Sequence, residues 1–91
     1  MEDVAVLGVG MHPFGKFDGV RAADMALVAG LAALDDAGIA FRDVQAAYVG
    51  YILGQPMAGV RIMKEFGLTG LAVQHIENAS ATGSAAFREA Y

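Results

Sequence analysis

Apolar and polar positions alternate in a way that breaks the chain into six elements. Residues 3–9, apolar from Val4 onward and closed by glycine, have the pattern of a buried strand. Residues 10–20 hold Pro13 and glycines at 10, 15 and 19, and read as a loop. Over residues 22–37 the apolar positions Met25, Val28, Leu31, Ala32 and Leu34 keep helical spacing amid many alanines. Gly38 then supplies a stop of the left-handed type. Phe41 to Val44 is a connector. Residues 45–52, rich in Tyr, Val and Ile, predict a second strand. Gly54, Gln55 and Pro56 mark a turn. A short helix is expected over residues 57–66, with Met57, Val60, Ile62, Met63 and Phe66 as its apolar positions and Gly67 as its end. Residues 71–76 predict a third strand, and a small-residue helix follows Ser80. Strand, helix, strand, helix, strand, helix implies an α/β unit with a parallel sheet and right-handed crossovers.

Composition sharpens this picture. The chain has 91 residues, 56% of them hydrophobic. A domain that small has much surface and little interior. So apolar a chain is expected to be covered on both sides, as the elements of a larger α/β protein are. The last residues, Glu89, Ala90 and Tyr91, read as helix without a cap. The expectation is therefore that residues 1–91 are a fragment of a longer protein.

Charge and residue usage exclude several classes. The net charge is −4, and the six basic residues are Lys16, Arg21, Arg42, Arg61, Lys64 and Arg88, scattered with no basic stripe. Nucleic-acid binding is not expected. There is no cysteine, so no disulfide frame and no thiolate metal site. His12 and His75, the two imidazoles, have no second ligand at metal spacing. No apolar run reaches the ~18 residues of a membrane span; residues 22–34 come nearest. Glu2 and Asp3 stand where a signal peptide carries a basic region, so a cytoplasmic location is expected. Gly8-Val9-Gly10 follows a strand but has Pro13 where a dinucleotide fingerprint has its third glycine. Its ordinary use is a strand exit with tight backbone packing.

The most informative stretch is residues 76–86, Ile-Glu-Asn-Ala-Ser-Ala-Thr-Gly-Ser-Ala-Ala. A strand and a short turn deliver Ser80 to the start of a helix whose neighbours, Ala79, Ala81 and Gly83, leave room for a substrate. A helix start offers free N–H groups and a positive dipole end. The same position suits a simple helix cap, and spacing alone leaves cap and nucleophile both open. Asn78 has the place of an Asx residue bonding the turn. Thr82 and Ser84 are placed to cap or bond back locally. His75, five residues before Ser80, has a structural or hydrogen-bonding use before that of a base. Met57, Met63, Tyr48, Tyr51 and Phe66 serve either an acyl channel or, more ordinarily, core packing.

Nearly the whole chain, collinearly, resembles the N-terminal end of thiolases, most of all the sterol-carrier-protein type and its thiolase-like relatives. Val4 to Met11 with Phe14 is similar to that family's first strand and loop. Asp35 to Ile39 is similar to the end of its first helix, and Val49-Gly50-Tyr51 with Gly54 to its second strand and following loop. Gly67 to Gly70 and Glu77 to Ser84 resemble the approach to the nucleophile and its helix. The family sets a cysteine in an Asn-x-Cys-Ala-Thr/Ser-Gly frame; here Ser80 holds that position.

The resemblance implies a thiolase-like fold, with residues 1–91 the N-terminal part of the first βαβαβα half, the remainder of that domain and the C-terminal domain lying outside them. It implies an acyltransferase acting on acyl-CoA in lipid metabolism, with Ser80 at the catalytic position and Asn78, Thr82 and Gly83 near the substrate. Coenzyme A thioester would be substrate, with no covalently bound cofactor, and the protein would be a homodimer. The family's usual base is a histidine from the second half.

Serine in place of cysteine leaves three readings. The hydroxyl is several pKa units harder to ionise than a thiol, and a helix dipole supplies only ~0.3–2 kcal/mol. Ser80 is then a modest acyl acceptor, an inert residue in a carbon–carbon lyase, or a substitution that traps substrate. Relatives without the cysteine include aldolases of steroid side chains, which work with a small OB-fold and zinc-ribbon partner. An acyl-CoA-binding scaffold without turnover is the remaining alternative.

Overall fold

A computed structural model describes residues 2–53 and 56–91. The first regular element is helix α1, Ala22–Ala37, with the bounds that its spacing predicts. Asp24 starts it by accepting the backbone N–H of Arg21 at 3.2 Å and the Arg21 guanidinium at 2.7 Å. The guanidinium holds the Asp24 carboxyl below its ordinary range. Gly38 ends the helix in the left-handed region, at φ 71°, and both Gly38 and Ile39 donate to the Leu34 carbonyl.

A 3-10 turn, Phe41–Asp43, leads into strand β1, Ala46–Gly50. Helix α2, Ala58–Met63, follows and tightens into a 3-10 turn over Lys64–Phe66. The helix expected over residues 57–66 is thus split, and Met57 precedes it in the left-handed region at φ 65°. The expected turn at Gly54 and Gln55 lies outside the described residues. Strand β2, Ala72–Ile76, pairs in parallel with β1, with Ala46 opposite Ala72 and Gly50 opposite Ile76. Helix α3, Thr82–Ala90, closes the order.

The two-stranded sheet is covered on both faces. Gly59 of α2 lies against Val49, Val73 and His75, which share one face by strand alternation. Gly50, on the opposite face, lies against Thr82 of α3. Ala58, Ile62 and Ala86 are the buried apolar residues, so the core is the α2–sheet–α3 sandwich. Helix α1 packs outside α2, with the Phe66 ring filling the space beside Gly30 and stacking on Phe41 at 5.3 Å between centroids.

One expectation is corrected. Residues 3–9 are not a strand: they carry no ladder, and the sheet among the described residues has only β1 and β2. A strand needs a neighbour's N–H and C=O groups, and here the segment finds a helix instead. Gly8 and Gly10 bring its backbone onto that of α1, where any side chain at either position would collide with the helix. The Val9 N–H donates to the Asp36 carboxylate at 3.0 Å. Tight backbone packing, the ordinary reading of Gly8-Val9-Gly10, is what the structure has. Val4, Val6, Leu7, Val9 and Met11 remain exposed.

Candidate active site

Ser80 stands in the turn between β2 and α3, just outside the carboxyl ends of the parallel strands. That edge is where open α/β sheets bind ligands. The turn is held by hydrogen bonds, not by glycine. The Asn78 carbonyl accepts from the Ala81 N–H at 2.9 Å, and the Ala79 carbonyl from the Thr82 N–H at 3.1 Å. The buried Thr82 hydroxyl, 5% exposed, accepts from the Asn78 N–H at 2.8 Å and donates to the Ala79 carbonyl at 2.6 Å. The Glu77 carboxylate takes the Ala79 N–H. Ala79 is thereby kept at φ 47°, a left-handed conformation that costs a non-glycine residue about 1–2 kcal/mol.

These contacts revise the roles read from the sequence. The N-cap of α3 is Ala81, without a side-chain cap bond, so Ser80 does not cap the helix. Asn78 serves through its backbone groups; Thr82 provides the side-chain bond expected of an Asx residue. Thr82 also bonds back as its position predicts. Gly83 has open space where a side chain would stand, on the wall of a cleft that Ser80 shares.

The cleft has a volume of about 510 Å³. On one side are Ala79, Ser80, Thr82 and Gly83; on the other are Gly50, Tyr51, Ile52 and Leu53, where the chain leaves β1. Ser80 is exposed, and the N-terminal turn of α3 beside it has N–H groups without intrahelical partners. The site therefore joins a hydroxyl, a partial positive charge and an apolar wall. Of the side chains first considered for an acyl channel, Tyr51 alone lines this cleft. Tyr48, Met63 and Phe66 face the space between α1 and the sheet, and Met57 is exposed. Sequence reasoning missed Ile52 and Leu53, whose signal was the apolar end of the second strand run.

His75 is not joined to Ser80. Its Nε2 lies 2.8 Å from the Tyr51 carbonyl, which accepts the ring N–H. His12 lies in the first loop, edge-on to Phe17. No group of potential metal ligands occurs among the described residues, and none of their helices is long and apolar enough to cross a membrane.

Two substitutions test how the turn is built. At Gly50 an added Cβ would stand 2.7 Å from the Thr82 methyl and 3.1 Å from its carbonyl oxygen. In the full-length protein, Gly50→Val is expected to push Thr82 off its two bonds and to cost about 1–3 kcal/mol, the range of overpacking, read as a lowered urea midpoint with unchanged slope. Thr82→Val keeps the shape but strands the part-buried Asn78 N–H, an expected loss of about 1–3 kcal/mol. Thr82→Ser keeps the hydroxyl and should recover most of that in the same denaturation experiment.

No protein-family profile matches the chain. Individual relatives do. It is 40% identical over 84 residues to non-specific lipid-transfer protein-like 2 of Caenorhabditis elegans, covering 89% of this chain and 20% of that protein. It is 44% identical over 86 residues to sterol carrier protein 2 of Gallus gallus, covering 91% and 16%. It is 38% identical over 93 residues to the acetyl-CoA acetyltransferase of Methanothermobacter thermautotrophicus, covering 97% and 24%. The chain thus spans a quarter or less of these relatives. These matches and the parallel α/β fold are consistent with a thiolase-superfamily segment of the sterol-carrier-protein type.

Proposed function

We propose that the Ser80 cleft binds an acyl-CoA thioester and that the full-length protein is a thiolase-type acyltransferase, with Ser80 at the nucleophile position. One observation carries this reading: an exposed hydroxyl at the start of α3 opens into a cleft walled by Ile52 and Leu53. In thiolysis of a 3-ketoacyl-CoA, the Ser80 Oγ would attack the C3 carbonyl carbon and lose its proton to a base outside these residues. The C2–C3 bond breaks, C2 takes a proton and leaves as acetyl-CoA, and the acyl group remains as an ester on Ser80. The thiol of a second CoA then takes the acyl group, and its proton returns to Oγ. Of the N–H groups at the start of α3, those of Gly83 and Ser84, which the turn does not use, are suited to the oxyanion of such a step.

The serine itself favours a second reading. An oxygen nucleophile without a thiol's easy ionisation suits a retro-aldolase acting on a 3-hydroxyacyl-CoA, in which Ser80 only lines the site. That enzyme would work with an OB-fold partner. A carrier that binds acyl-CoA without turnover is a third. The deciding experiment assays the full-length protein and Ser80→Ala for thiolysis, retro-aldol cleavage and acyl-CoA binding. Thiolysis lost in Ser80→Ala supports acyl transfer. Cleavage of the 3-hydroxy substrate at an unchanged rate in Ser80→Ala supports the aldolase. Binding without either reaction supports the carrier.

A further inference from the structure

Tyr51 is the first residue beyond β1, and β2 holds both of its backbone polar groups. Its N–H donates to the Ile76 carbonyl at 3.3 Å, and its carbonyl accepts the His75 Nε2–H at 2.8 Å. The first bond extends the strand ladder. The second does not belong to a ladder: it comes from a side chain, 24 residues away in sequence, on the neighbouring strand. Register explains it. His75 pairs with Val49, so its ring reaches forward along the sheet past Gly50 to the point where the chain turns out.

Beyond Tyr51 the chain forms the apolar wall of the cleft. Ile52 is 52% exposed and Leu53 89% exposed, opposite Ala79 and Ser80. Within these residues, side chains so open have little packing of their own to fix them. Their position is inherited from the last anchored residue, and that anchor is the Tyr51 carbonyl. We propose that His75 is a positioning residue for the Ser80 cleft: its bond to Tyr51 sets the Ile52–Leu53 wall against which the apolar acyl chain of the substrate lies. This rests on the acyl-CoA reading and adds to it a substrate class, acyl groups with a chain beyond acetyl. It also gives His75 a use other than that of a base.

The test measures dissociation constants of the full-length protein for acetyl-, butyryl-, octanoyl- and lauroyl-CoA. The variants are His75→Ala and His75→Gln, whose amide keeps an N–H donor. A chain lying on the wall should tighten binding by up to about fourfold for each fully buried methylene. His75→Ala is expected to leave acetyl-CoA affinity within twofold of wild type, to weaken lauroyl-CoA binding at least tenfold, and to speed amide exchange at Ile52 and Leu53. His75→Gln should restore most of both. Octanoyl and lauroyl affinities unchanged in His75→Ala would overturn the proposal while leaving the acyl-CoA reading standing. Equal loss for all four thioesters, uncorrected by His75→Gln, would show a merely structural residue and would also overturn it. If wild type binds none of the four, the acyl-CoA reading falls and the proposal with it.

Discussion

Ser80→Cys in the full-length protein is expected to raise thiolytic cleavage of a 3-ketoacyl-CoA on the order of 100-fold, with covalent labelling by the acyl group. The frame around Ser80 is otherwise ready for a thiol. The side chain is exposed, the Thr82 hydroxyl pins the turn, and α3 begins at the next residue but one. A thiol has a few per cent of thiolate at neutral pH without help, and a helix N-terminus increases that share. A serine hydroxyl needs an aligned base throughout, and one such group contributes about 10²–10⁴ in rate. The gain should therefore approach the lower end of that range. It should also rise with pH as the thiol ionises, whereas the serine form follows the ionisation of its base. Intact-mass measurement of the acylated variant checks this independently of turnover. Unchanged labelling, with acyl-CoA still bound, would count against acyl transfer and for the retro-aldolase.

The 91 residues taken alone are expected not to form a stable monomer. Among the described residues the buried apolar ones are Ala58, Ile62 and Ala86, two of them alanine. Val4, Val6, Leu7, Val9 and Met11 lie exposed along α1. An opening of about 550 Å³ separates Val6 and Leu7 from Tyr48 and Phe66, where a folded interior would have close packing. Among the described residues strand β1 has one partner, so its other edge is free to pair with another chain. A small domain has a margin on the order of 5 kcal/mol. Two buried alanines and one isoleucine among the described residues do not reach it against the entropy of ordering the chain. Sedimentation of the purified segment should show association, and urea should give a broad, shallow loss of structure. A sharp transition from a soluble monomer would sink this expectation and make the segment a domain in its own right.

Local pattern was enough for much of the fold. Helix α1 has the bounds its spacing and Gly38 require, because periodicity, alanine content and a left-handed stop are properties of neighbouring residues. Strands β1 and β2 fall within the predicted runs, shortened by one or two residues at their ends. The turn that carries Ser80 into a helix was legible from its small residues and from the resemblance to thiolases.

What the sequence could not decide depends on partners far along the chain. Residues 3–9 have the composition of a strand, but pairing belongs to two segments, and here α1 takes the place of the second. Ser80 and Thr82 are both small hydroxyl residues at a helix start. Only the close approach of Gly50 to Thr82 buries one and leaves the other open to the cleft. Ile52 reads as the end of a strand with Leu53 just beyond it, and the ladder stops before both because their chain turns out to face Ser80. His75 finds the Tyr51 carbonyl through strand register, which exists only once β1 and β2 are paired. Secondary structure answers to the nearest few residues and is written locally. A site is assembled from groups that the fold brings within about 3 Å of each other, and that distance is set by the tertiary packing.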